Sequence, residues 1–155
     1  AIDQASRNMT PSVEQELAAL VERMGEAAEQ FDLASFHTID MAFHRRIWSL
    51  TGNEYLEEAL EGVAFRLFAF VILQRDPGAR NEFLASTDQH RGILAGLRSG
   101  DPGRARQEFL SHTAKYWSTY HGVAVSEDAF QTSEVGSVPS RSSHPEAVGE
   151  DSGVG

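Results

Sequence analysis

The chain has no cysteine among its 155 residues. Neither a disulfide framework nor a thiolate metal site is open to it, so any metal must be held by histidine and carboxylate. Basic residues are scarce: 13 Lys and Arg stand against 23 Asp and Glu, a formal net charge of −10. With no basic stripe to neutralise phosphates, the chain is not expected to grip DNA itself. No apolar run reaches the roughly 18 residues of a membrane span, and no signal peptide precedes the first helix. The H-E-x-x-H, nucleophile-elbow and phosphate-loop signatures are all missing. No internal repeat or strand pattern is visible. The chain starts at Ala1 without Met and reads as a piece of something longer, with the cytoplasm as its expected location.

What is present is helix. The length suits one domain with a real core. Residues 1–9 read as the end of a helix whose start is missing. Thr10-Pro11 places a capping residue and a proline in helix-start order, and the helix runs to about 30 with Leu17, Leu20, Val21 and Met24 as its apolar stripe. Glu14, Glu16, Glu22, Glu26 and Glu29 form its solvated face. Asp32 caps a helix over about 33–51, which Gly52 ends, and Asn53 caps another over about 54–75. The latter is apolar nearly all round from Val63 to Leu73, as in a bundle centre or a subunit interface. Asp76-Pro77-Gly78 breaks the chain. Two more helices follow, about 80–99 and about 102–121, the last opened by Asp101-Pro102. From Val123 the periodicity vanishes, and the acidic, Ser/Gly-rich stretch 123–155 reads as a disordered tail. The expected fold is all-α: an antiparallel bundle of about six helices over residues 1–122.

One stretch carries chemistry. Asp40 and His44 stand four apart, one helical turn on the flank of the apolar face made by Phe36, Ile39, Phe43, Ile47 and Leu50. A carboxylate turned toward a core needs a cation beside it, either a metal or an arginine. His90, in step with Ile93, Leu94 and Leu97, and His112, in step with Ala105, Phe109 and Tyr116, lie on apolar faces of two other helices. A lone histidine of this kind is commonly a hydrogen-bonded core residue. Three on different helices, with Asp40, form a candidate metal set of the sort helix bundles build. Imidazole and carboxylate suit a divalent ion, zinc first, with nickel, manganese or iron as alternatives, and an octahedral ion keeps two positions for water or an oxyanion. His37 is either a further candidate or a partly exposed histidine at a helix start. Arg66, the one charge inside its apolar run, is either salt-bridged to a glutamate or an anion clamp, since guanidinium pairs bidentately with carboxylate. His121 and His144 receive no role.

Asp40-Met-Ala-Phe-His44 followed by Leu50-Thr-Gly-Asn53, and Gln89-His90-Arg91-Gly92-Ile93-Leu94 followed by Gly100-Asp101, Ala105 and His112, resemble the two motif halves of FCD domains. These are the effector-binding C-terminal domains of FadR-subfamily GntR transcription regulators. The resemblance covers about residues 1–121. It implies a helical bundle, usually dimeric, with a divalent metal at the bottom of an effector pocket and ligand roles for Asp40, His44, His90 and His112. It also implies a small carboxylate effector that meets the metal and a nearby arginine, for which Arg66 is the candidate. The chain departs from the family in having no winged helix-turn-helix, in lacking most of the first helix and in its acidic tail. DNA would therefore be met only through the missing N-terminal domain, and no membrane is implicated. The competing expectations are a small metal-dependent hydrolase, for which no general base is visible beside the open position, and a metal-free dimerisation module with packed histidines.

Overall fold

A computed structural model describes residues 1–73 and 80–122. The expected tail at 123–155 and the break at Asp76-Pro77-Gly78 lie outside the described residues. Within them the chain folds into α1 (Ile2–Arg7), α2 (Pro11–Gln30), α3 (Leu33–Ser49), α4 (Glu54–Leu73), α5 (Arg80–Arg98) and α6 (Pro102–His121).

The helix boundaries follow from local chemistry. Thr10 Oγ1 accepts from the Val13 N–H at 3.3 Å, Asp32 Oδ1 from Ser35 at 3.1 Å, Asn53 Oδ1 from Leu56 at 3.1 Å, and Asp101 Oδ1 from Gly103 at 2.8 Å. Each satisfies a first-turn donor that the helix itself cannot. The turns after α3 and α5 pass through Gly52 (φ 65°) and Gly100 (φ 69°), a region where a side chain would be strained. The end of α2 is less expected. Phe31 takes the left-handed conformation at φ 57°, with its N–H and that of Asp32 turned back onto the Ala28 and Ala27 carbonyls. This is a Schellman closure with an aromatic residue where glycine is usual. The Phe31 ring lies edge-on to Phe83 at 6.0 Å, which gives the strained residue a packing return.

The core is one cluster. Leu17, Val21 and Met24 of α2, Phe36, Ile39, Phe43 and Ile47 of α3, and Phe83, Ile93 and Leu97 of α5 are all buried. Helix α2 packs against α3 and α5, α5 against α6, and α4 against α3. Short α1 is tied down by polar contacts: Gln4 Nε2 donates to the Thr51 carbonyl and Asn8 Nδ2 to the Leu50 carbonyl, both at 2.6 Å. Arg106 of α6 pairs with Asp3. On the solvated face of α2, Glu16 meets Arg46 at 2.6 Å and Glu14 meets Arg98 at 2.7 Å. Exposed pairs like these contribute about 1 kcal/mol or less. The consequence for function is that α3, α5 and α6 bring their inward faces together, and α4 closes one side.

Candidate metal centre and cavity

Asp40, His44 and His90 are buried, with exposures of 5%, 6% and 0%, and His112 is partly buried. All four meet. Asp40 Oδ1 lies 2.8 Å from His90 Nε2 and 3.3 Å from His44 Nε2, and the two Nε2 atoms are 3.3 Å apart. One ring nitrogen from each of His44, His90 and His112 falls within 4.8 Å of the others. Donors about 2.0–2.1 Å from one divalent ion stand roughly 3 Å from their neighbours. The Asp40–His44–His90 corner therefore already has ligand spacing, while His112 completes the set more loosely.

The hydrogen bonds outside the cluster decide which nitrogens face it. His90 Nδ1 is 2.7 Å from the Ser86 carbonyl, which can only accept, so Nδ1 carries the proton. Nε2, the other ring nitrogen, then faces the Asp40 carboxylate, as a second donor in the imidazolium or as a lone pair in the neutral ring. Two lone pairs 2.8 Å apart repel unless a cation, proton or metal, lies between them. His112 Nδ1 is 3.0 Å from Gln89 Oε1, which holds that ring with Nδ1 donating and Nε2 free to ligate. Asp40 Oδ1 and His44 Nδ1 are buried without a hydrogen bond of acceptable geometry. The donor set is thus the kind a divalent ion would complete.

Electrostatics agree. Burial works against charge on Asp40, but the His90 and His44 imidazoles beside it prevail and hold its carboxyl far below the usual carboxylate range. Burial, followed by repulsion from His90 and His44, pushes the His112 imidazole well below its ordinary value, against a smaller pull from Asp40. The rings are fixed by aromatic neighbours: His44 stacks on Trp48 at 5.9 Å and His90 meets Phe43 edge-on at 5.0 Å.

A cavity of about 130 Å³ opens beside this cluster, between α3, α4, α5 and α6. Asp40, His44 and His112 form its polar end, and Phe36, Trp48, Leu67, Phe109 and Trp117 are among its walls. His37 is a wall residue of this cavity, outside the histidine cluster. Arg66 departs from the expected position. It is exposed and does not line the cavity, whereas Ala64 and Leu67 do. At 3.6 residues per turn, Arg66 points about 160° from Ala64 and about 100° from Leu67. The exposed side of α4 that carries Arg66 also carries Tyr55, Val63 and Phe65, exposed by 87%, 58% and 67%. Because α4 is apolar nearly all round, its sequence does not reveal which side faces the bundle.

Sequence reasoning missed three contributors. Trp48 was legible, since it stands four residues from His44 on the same helical face. Gln89 adjoins His90 in sequence, but its contact with His112 depends on how α5 and α6 pack. The Ser86 carbonyl leaves no side-chain signal.

The family model described as the FCD domain matches residues 1–115. Among solved structures, the chain resembles E. coli McbR/YncC with a TM-score of 0.69 at 19% sequence identity, a likeness of fold. The match covers 78% of this chain and 57% of that one, so this chain spans little more than half of its structural neighbour. No curated protein matches the sequence.

Proposed function

We propose, from the premise that this chain belongs to the FCD domain family, that it is the effector-sensing and dimerisation domain of a GntR/FadR-type transcriptional regulator. In this reading Asp40, His44, His90 and His112 hold one divalent metal ion, zinc before nickel, manganese or iron. A small organic acid enters the cavity and reaches the cluster. The observation that carries the proposal is the 2.8 Å approach of a buried carboxylate oxygen to an imidazole nitrogen, with two further imidazoles beside them at the polar end of a cavity. When bound, the ion supplies positive charge and open coordination positions to an oxyanion.

The chain's own residues do the rest. Ser86 and Gln89 orient two of the rings, Trp48 and Phe43 stop them turning, and the apolar wall excludes water from around the bound acid. The role in this reading is regulatory, as the family match suggests. A second copy of the chain would cover the exposed Tyr55, Val63 and Phe65 of α4. Effector binding alters the subunit arrangement only if the acid binds one arrangement more tightly than the other. DNA would then be contacted by a winged helix-turn-helix domain not included in this sequence. No helix of the described residues is long and apolar enough to cross a membrane.

The test is elemental analysis of tag-free protein followed by thermal-shift screening of carboxylic acids with and without chelator. One divalent ion per chain and at least one acid whose stabilisation vanishes with the chelator are expected. A metal-free protein, or a metal-loaded one indifferent to every acid, contradicts the corresponding half of the proposal.

A further inference from the structure

We propose that Ser86 and His37 form a second polar contact in the cavity, which selects a short acid carrying a further oxygen, as hydroxyl or carboxylate, about one helical turn from the carboxylate at the metal. The inference rests on the carboxylate-at-metal reading above and names the residues that meet the other end of the acid. Both residues line the cavity, and neither belongs to the cluster of Asp40, His44, His90 and His112.

Their placement follows from helix register. The His44 and His90 ring centroids are 5.2 Å apart, and seven residues earlier on each helix His37 meets Phe83 at 6.1 Å. Helices α3 and α5 therefore run in step along this wall. Ser86 stands four residues before His90 and three after Phe83, between the two levels. At about 5.4 Å per turn, Ser86 lies about one turn from the histidine cluster and His37 about one turn from Asp40. A four-carbon chain spans that distance. The cavity volume of about 130 Å³ is close to the roughly 150 Å³ that accommodates benzene, so a four-carbon acid fits.

The chemistry of the two groups supports the assignment. Thr87 and Thr113 turn their hydroxyls back onto the Phe83 and Phe109 carbonyls at 3.0 and 2.9 Å. At Ser86 the carbonyl is engaged by His90 Nδ1 at 2.7 Å, while the hydroxyl makes no hydrogen bond among the described residues. The His37 ring is set in the wall edge-on to Phe36 at 5.8 Å and to Phe83. A hydroxyl and an imidazole can each donate a proton to a carboxylate, or exchange hydrogen bonds with a hydroxyl. An acid without a second oxygen would leave these polar groups facing hydrocarbon, a mismatch that a hydrogen-bonding pocket penalises.

Isothermal titration of the zinc-loaded protein with butyrate, 4-hydroxybutyrate and succinate, with zinc content measured afterwards, tests this. The better of the two oxygen-bearing acids is expected to bind at least tenfold more tightly than butyrate, and the leader distinguishes hydroxyl from carboxylate as the second group. Ser86→Ala keeps the backbone carbonyl that holds His90, and His37→Phe keeps a flat ring beside Phe36 and Phe83. In each variant the preference over butyrate is expected to fall below threefold. Butyrate binding as tightly as both other acids, or a tenfold preference that persists in both variants, overturns the inference and leaves the carboxylate-at-metal reading standing. Zinc-loaded protein that binds none of the three overturns both.

Discussion

Asp40 Oδ1 lies 2.8 Å from His90 Nε2, and the opposite nitrogen of that ring is held by the Ser86 carbonyl at 2.7 Å. An ionised carboxylate and an imidazole nitrogen rest this close only when something positive, a proton or a metal ion, joins them. The helix bundle therefore places a site for positive charge beside its cavity, which a divalent ion would fit.

Removing the carboxylate should remove the ion. Asp40→Asn keeps the shape and deletes the charge, so zinc affinity should fall by about 100-fold or more, beyond the loss typical of an outer hydrogen-bond partner. The zinc-dependent rise in melting temperature should vanish with it, since ligand stabilisation follows the ratio of free ligand to Kd. Competition with a chromogenic chelator and thermal unfolding with and without zinc would measure both.

Gln89 should act through His112. In Gln89→Leu the Nδ1 proton of His112 loses its acceptor at 3.0 Å, and zinc affinity should drop by about 10–100-fold. Gln89→Glu should restore or exceed the original affinity, because a carboxylate makes the imidazole a stronger donor to the ion. The melting temperature of the chelator-treated variants would separate this from mere unfolding, and it should move little in Gln89→Glu.

Acid should weaken the metal-free fold. His112 titrates well below its ordinary value because it is buried beside two other imidazoles. At a pH between its folded and unfolded values the unfolded chain binds more protons, so stability is full above about 6.5 and falls as the pH drops below it. Chelator-treated protein should lose denaturant resistance from pH 7.5 to 5.5. Zinc-loaded protein should hold out longer and then release its ion as protons displace it from the imidazoles.

Two glycines of α5 should respond oppositely. A Cβ at Gly96 would stand 3.0 Å from Ala105 Cα and 3.3 Å from its backbone nitrogen, so α5 and α6 would have to part. Gly96→Ala should cost about 1–3 kcal/mol. At Gly92 the tight neighbour is Glu108 Oε2 at 2.8 Å, the end of a flexible side chain that can swing away. Gly92→Ala should be neutral or gain up to about 1 kcal/mol from helix propensity. Urea unfolding of the two variants would measure the contrast.

The outer side of α4 should be where two copies meet. Phe65→Glu places a charge among the exposed Tyr55, Val63 and Phe65. Sedimentation should show a dimer for the parent and a monomer for the variant, with zinc content unchanged.

Much of this was legible before any coordinates. The helix starts at Thr10, Asp32, Asn53 and Asp101 follow from side-chain oxygens that only a first turn can use. The convergence of Asp40, His44, His90 and His112 follows from their shared inward faces once three helices must bury those faces together. The rest depends on packing. Arg66 stands on the exposed side of α4, a placement that the nearly all-round apolar stretch from Val63 to Leu73 does not reveal. Phe31 shows a backbone choice that sequence reserves for glycine and that burial beside Phe83 made tolerable. The Gln89–His112 contact exists only because α5 and α6 lie in one particular register.

The most direct measurement is the native mass of the tag-free domain as purified and after equimolar zinc. The account predicts one divalent ion per chain in the parent and none in His90→Ala at the same protein concentration. A parent protein that stays at its apo mass with micromolar zinc present, or a His90→Ala variant that retains the ion, would contradict it.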